Sequence, residues 1–178
     1  MADSYTYTHN VGAKTITVST TKTLAAAGNY DANDVLSESA TNGVGTDWDF
    51  VDIGKSLGSG GLITKATTLC STTALTQRYA LDLYTSAPTC ELDDNAANSG
   101  VLAADKLNWV GRIEIPICTN IGGMSANLAS TSTTGGLPLE FTCASGSRNL
   151  YGVLVTLDAV TEEAANMTLT ITLAARYN

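Results

Sequence analysis

The stretch MTLTITLAARY, residues 167–177, decides the fold. Met167, Leu169, Ile171 and Leu173 fall on one side of an extended chain, and Thr168, Thr170 and Thr172 on the other. A strict period of two marks a strand with one buried face. The same alternation recurs upstream. In KTITVST (14–20), Ile16 and Val18 oppose Thr15 and Thr17. In DWDFVDIG (47–54), Trp48, Phe50 and Asp52 point one way and Asp49, Val51 and Ile53 the other. LITKATTLC (62–70), QRYALDLYT (77–85), WVGRIEIPI (109–117), LPLEFTC (137–143) and NLYGVLVTL (149–157) complete the set. NYDANDVLS adds a weaker extended segment near Val35 and Leu36.

Between these runs lie SATNGVG, SLGSGG, SAPTC, NAANSG, TNIGG, STSTTGG and ASGS, rich in the residues that tight connections require. No long amphipathic helix is readable. LAAAGNY (24–30), NSGVLAADKL (98–107) and TEEAA (161–165) are each expected to form a helical turn or two. About eight strands separated by such turns predict an all-β, antiparallel, jelly-roll-like β-sandwich over 29–178. An arm carrying one strand, residues 1–28, precedes it. The threonine rows predict that one side of each sheet meets water or a polar partner.

The composition narrows the partners. The 178 residues hold nine Lys and Arg against seventeen Asp and Glu, a formal charge of −8. Nucleic-acid binding needs clustered cations, and an anionic membrane surface needs the same, so neither is expected. No apolar run approaches the ~18 residues of a transmembrane helix. MADSYTYTHN lacks the basic-then-apolar order of a secretory leader, so synthesis in a cytosol is expected. Cys70, Cys90, Cys118 and Cys143 are widely spaced without a CxxC pair, which predicts reduced, buried thiols.

Motifs for catalysis fail on context. His9 is the sole histidine, so no multi-histidine metal site is available. GKSLG (54–58) matches G-x-S-x-G around Ser56, but a strand is read after it where a helix is needed, and His9 lies far upstream. The same Gly-Lys-Ser lacks the first glycine of a P-loop, because position 49 is Asp. Asp47, Asp49 and Asp52 crowd one strand and Glu162 and Glu163 one turn, where solvated, edge-guarding charges are expected. CELDDNAANSG (90–100) is the densest acidic stretch. An EF-hand register from Asp93 puts Ala97 in the fifth place and Ala104 in the twelfth, so it fails. Asp93, Asp94, Asn95 and Asn98 are instead expected to bend the chain, start a short helix and touch neighbours. Asn166-Met167-Thr168 is read as a chance sequon. No enzyme activity, cofactor or metal is expected. A carbohydrate-binding reading would use Trp48, Trp109, Tyr79, Tyr84 and Tyr151, although Trp48 beside Phe50 reads as core.

The order of YDANDVLSES, GLITKATTL, LYTSAPTCELDDNAAN, WVGRIEIP, LPLEFTCASGSRN and LYGVLVTLDAVTEEAANMTLTI resembles a group of small virion proteins of tailed bacteriophages that decorate capsids. The likeness runs from about Asn29 to the end and leaves out the first 28 residues. It implies a jelly-roll-like decoration or cement protein, often a homotrimer, that clamps neighbouring copies of the major capsid protein on the virion surface. It carries no catalytic residues. A receptor-binding module of a tail or fibre is the alternative it leaves open. In either case the arm is expected to dock by strand pairing with a capsid strand or a sister subunit, which makes Tyr5, Tyr7, His9, Ile16 and Val18 candidate contacts.

Overall fold

The C-terminal alternation becomes the second strand of a six-stranded sheet. The computed structural model describes residues 14–25, 29–72, 77–130, 136–160 and 166–177. Among these described residues ten strands run in chain order: β1 (Thr15–Thr23), β2 (Trp48–Phe50), β3 (Gly60–Cys70), β4 (Tyr79–Tyr84), β5 (Trp109–Ile115), β6 (Thr119–Asn120), β7 (Ser125–Ser130), β8 (Leu139–Thr142), β9 (Leu150–Thr156) and β10 (Thr168–Arg176). The larger sheet has the order β1-β10-β3-β7-β6, with β8 also on β3. The smaller has the order β2-β9-β4-β5, and every named pairing is antiparallel. The pairs nest: β1 with β10, β2 with β9, β3 with β7 and β8, β4 with β5. Two antiparallel sheets sharing one core make the expected all-β sandwich.

The period of two sets what lies inside. Trp48, Phe50, Leu81, Leu83, Ile113 and Leu154 from the small sheet meet Ile63, Phe141, Leu169, Ile171 and Leu173 from the large one in a single core. Each is fully or nearly fully buried, worth about 2 kcal/mol apiece against exposure. Trp48 also donates its indole N–H to the Leu36 carbonyl at 2.9 Å, so its one polar atom is satisfied within the core.

All eight sequence-read strands are present; β6 and β7 are additional. TNIGG was expected to be only a turn, and no strand was read in SANLAS, because the inward positions of β7 are polar. Ser125 and Asn127 are buried where an apolar residue would have announced a strand. Asn127 bonds instead: its Oδ1 accepts the Thr68 N–H at 3.1 Å and the Thr68 hydroxyl, and its Nδ2 donates to the Pro116 carbonyl at 2.7 Å.

Three further expectations change. β2 stops at Phe50, because Asp52 takes a left-handed φ of 59°. Its N–H bonds Asn149 Oδ1 at 3.0 Å, and the turn returns Ile53 to the core. No helix forms in 98–107; an Asx turn from Asn98 Oδ1 to the Gly100 N–H replaces it. Of the other expected helical turns, 26–28 and 161–165 lie outside the described residues. Finally, only one sheet keeps a bare outer face. Residues 33–36 extend the small sheet beside β9, with the Leu36 N–H on the Leu154 carbonyl and the Thr156 N–H on the Asp34 carbonyl, each at 2.9 Å. On the outer face Val35 and the long β4–β5 connection pack against β4 and β9, so every residue of β4 is buried.

Candidate docking surfaces

The acidic stretch was the first place to look for chemistry, and its geometry is internal. Asp93 turns inward and its two carboxylate oxygens accept the backbone N–H groups of Gly43, Val44 and Gly45 at 2.7, 3.1 and 2.8 Å. Bonds from Gly45, Gly43 and Val44 hold its carboxyl below the ordinary range. The 43–45 turn seats so closely that a Cβ on Gly45 would lie 2.1 Å from the Leu92 carbonyl oxygen, so only glycine fits. Asp94 accepts the Tyr30 hydroxyl at 3.0 Å and the Ser37 N–H at 2.7 Å. Glu91 Oε1 accepts the N–H groups of Leu92 and Asp93 at 3.0 and 2.9 Å. These carboxylates hold the chain's own backbone. Both aspartates are buried, which leaves Asn95 exposed and Asn98 half-exposed as the outward residues of the four. Asn95 sits at a left-handed φ of 60°, which an Asn side chain tolerates.

The same cover hides other reactive groups. Asp82, on the outer face of β4, is gripped by Arg112 through two bonds, at 3.0 and 2.6 Å, and by the Trp109 indole N–H at 3.2 Å. Burial pushes the Cys90 thiol up to about 11 and raises the Tyr84 hydroxyl as well. Cys70, Cys118 and Cys143 are also free, buried and raised by burial, as the spacing led us to expect of thiols kept reduced. A buried neutral thiol is a poor nucleophile. An open groove of about 710 Å³ runs past Thr21, Lys22, Thr23, Glu38 and Thr46. Its cation is already held: Lys22 Nζ bonds Glu38 and donates to the Thr46 carbonyl and hydroxyl, each at 2.7 Å. Burial pushes the Glu38 carboxyl up, but the bonds from Lys22 and Thr46 outweigh it and hold it below its ordinary value.

One end of the sandwich looks different. Strand registers bring Lys14, the β2–β3 turn, the start of β5, the residues after β8 and Arg176 to that end. The β2–β3 turn is tied there by the Gly54 N–H to the Arg148 carbonyl at 2.7 Å and by the Tyr177 hydroxyl to the Ile53 carbonyl. Around the rim, Leu107 is 89% exposed, Leu57 65%, Val51 56% and Trp109 43%. Val51 and Leu107 border opposite edges of the small sheet, three strand spacings or roughly 14 Å apart. Lys14, Lys55, Lys106, Arg148 and Arg176 share this end and are exposed. Among the described residues, only Arg148 of the five has an ion-pair partner, Asp52 at 2.6 Å. The acidic surplus lies elsewhere, with Asp31, Glu38, Asp47, Glu91 and Asp158 around the 30–47 and 89–98 segments and the start of β4. Exposed Asp52 and Glu140 also lie at this end, but the five cations outnumber them, on a molecule of net charge −8.

No protein-family model matches the chain, and no curated protein matches it. Among solved structures, a chain of the cyanophage Pam1 capsid asymmetric unit aligns over 99% of this chain and 94% of that one, at 13% identity and a TM-score of 0.38. A likeness at that score carries no argument about fold or function.

The second exposed surface is the outer face of the large sheet. Register aligns Thr21, Thr170 and Leu69 in one row, Ser19, Thr172 and Thr67 in the next, and Thr17, Ala174 and Lys65 in a third. Hydroxyls pair across strands, Ser19 with Thr172 at 2.7 Å and Thr21 with Thr170 at 2.8 Å. β-branched side chains locked in such pairs lose little freedom when covered.

Of the arm residues read as contacts, Tyr5, Tyr7 and His9 lie outside the described residues. Ile16 and Val18 are half-buried, packed against the core from β1. The aromatic set does not form a sugar platform: Trp48, Tyr79 and Tyr84 are buried and Tyr151 half-buried, which leaves Trp109 exposed. Sequence reasoning passed over the rim residues Val51, Leu57 and Leu107. Val51 directly follows β2, Leu57 lies in the β2–β3 turn and Leu107 in the turn before β5, and the left-handed φ of Asp52 and these turns carry them outward.

Proposed function

We propose that this chain is a non-enzymatic structural protein of a tailed-phage virion, which decorates the capsid and stabilises it by bridging neighbouring major capsid subunits. The observation that carries the reading is the rim of Val51, Leu57, Leu107 and Trp109 interleaved with unpaired lysines and Arg176. An exposed apolar patch ringed by polar groups is a protein-docking feature. Its cations favour an acidic partner surface and select the orientation of approach. The virion assignment itself rests on the sequence segments that resemble phage decoration proteins. The rigid threonine face, with Lys65 its one charge in the three rows, suits a second contact at low entropic cost, and repeated weak contacts sum through avidity on a lattice. Homotrimeric assembly on the outer surface of the capsid, without nucleic acid or membrane, completes the proposal.

The test is binding to expanded capsids that lack the chain. Purified protein is expected to co-sediment with them and to raise the temperature at which they release DNA. Leu107→Asp combined with Trp109→Ala is expected to weaken binding at least tenfold while leaving the fold intact. Failure of the unaltered protein to bind, or full binding by the double variant, overturns the reading.

A further inference from the structure

We infer that the free edge of β1 pairs with the same edge of a second copy of this chain, in antiparallel register about a twofold axis through Ser19. The inference stands apart from the virion reading. It begins with the parity of the ladder. The Tyr177 N–H bonds the Lys14 carbonyl at 3.1 Å and the Leu24 N–H bonds the Met167 carbonyl at 2.9 Å, so these two pairs bracket the β1–β10 register. Hydrogen-bonded and non-bonded pairs alternate along an antiparallel ladder. Ile16, Val18, Thr20 and Lys22 therefore bond β10. Thr15, Thr17, Ser19, Thr21 and Thr23 turn their N–H and C=O groups away from it, and no partner among the described residues takes those groups.

Among the described residues the other sheet edges are shorter or guarded, and this one is neither. β2 spans three residues, β6 two, and β8, beside β3, four with an exposed Glu140. β5 carries exposed Glu114, half-exposed Arg112 and Gly111 at a φ of 152°, and its register with β4 shifts. Short strands, charges and irregularities of this kind discourage edge pairing. β1 runs nine residues in unbroken register with no proline, and its one charge, Lys22, points inward to Glu38.

The sequence of the edge selects its occupant. The outward residues read Thr-Thr-Ser-Thr-Thr, which is the same in either direction. With Ser19 on the axis, Thr15 meets the partner's Thr23, Thr17 meets the partner's Thr21, and Ser19 meets the partner's Ser19. Every pair brings two outward backbone faces together, so each exchanges two hydrogen bonds. No like charges meet along the strand. The hydroxyl pairs already made between Ser19 and Thr172 and between Thr21 and Thr170 would continue across the new seam. Ile16 and Val18, half-buried in one copy, gain cover from the partner. A twofold contact of this kind is compatible with trimers, which meet one another across twofolds on a closed lattice.

The test uses the full chain in moderate salt, which screens the −8 charge of each copy. Light scattering is expected to show the mass doubling with concentration. Amide exchange read by NMR is expected to slow at least ~10-fold at Thr17, Ser19 and Thr21 as the chain associates, while Val18 and Thr20 stay protected throughout. Ser19→Pro removes an N–H that β10 does not use, a substitution edge strands accept. It is expected to abolish the doubling. A chain that keeps its unassociated mass at its highest soluble concentration overturns the inference. So does a doubling that persists in Ser19→Pro, protection of the three amides that ignores concentration, or protection that appears only when a different protein is added.

Discussion

The two sheets solve the same problem in different ways. Each has an inner face of alternating apolar side chains. The small sheet then buries its outer face beneath the chain's own connections, with Val35, Ala80, Tyr84, Cys90, Val153 and Val155 forming a second apolar layer. The large sheet leaves its outer face bare and fills it with threonine. A covered face must satisfy its polar groups internally, and Asp93, Asp94 and Asp82 do that work for the cover. A bare face needs no such clasps but must resist aggregation, which uncharged hydroxyl pairs do weakly and charges do better. Carboxylates concentrated in one region therefore reflect the architecture of the cover.

The contrast breaks most sharply at Val155, which is fully buried in the outer layer beside its bridge partner Val35. Val155→Asp places an unpaired charge in the second layer and is expected to cost about 4 kcal/mol or to prevent folding. Denaturant titration measures it, and a loss below about 1 kcal/mol would mean that the cover is not closed. Asp94→Ala removes the acceptor of the Tyr30 hydroxyl and of the Ser37 N–H, at about 3 kcal/mol by the same measurement. The thiols test whether the cover opens apart from the core. Cys90 lies in the outer layer and Cys70 in the core between the sheets. In mild urea Cys90 is expected to react with a thiol reagent well before Cys70, because local opening costs less than global unfolding. Equal rates would show that cover and core unfold together.

The fold was legible because eight strands obey a period of two with an apolar inner face, from Ile16 and Val18 to Leu169 and Leu173. β7 was not, since Asn127 and Ser125 occupy inward positions, and Asn127 depends on Thr68 and Pro116, partners outside its own strand, for its bonds. The acidic stretch was legible as a turn-rich connection. What could not be read was its direction: that Asp93 and Asp94 face inward follows from the 43–45 turn and Ser37, some fifty residues away in the chain. Nor could the rim be read. Leu107 and Trp109 have the composition of a buried strand start, and the fold alone exposes them.

Acid separates the two faces next. The Asp93 carboxyl is held below its unfolded value by the backbone N–H groups it caps. A depressed carboxyl stabilises the fold above its unfolded pKa, and that contribution is lost as pH falls through the lower folded value. The 43–45 turn is thus expected to loosen only below the ordinary carboxylate range, seen as faster amide exchange at Gly43 and Gly45. Asp93→Asn, which keeps the shape and removes the charge, should show that loosening at neutral pH and lose the acid dependence.

The smallest effect belongs to the bare face. Thr172→Val keeps the β-branched shape and removes the hydroxyl that pairs with Ser19. Both groups are at least partly exposed, so water replaces the lost bond, and the expected change in stability is within about 0.5 kcal/mol of zero. The same substitution places a methyl where a partner would meet a hydroxyl. If the threonine face is a docking surface, Thr172→Val should leave the melting temperature nearly unchanged and yet shift capsid binding in the assay with expanded capsids. If neither quantity moves, the face serves only to keep a large sheet in water, and the rim of Leu107 and Trp109 must carry the contact alone.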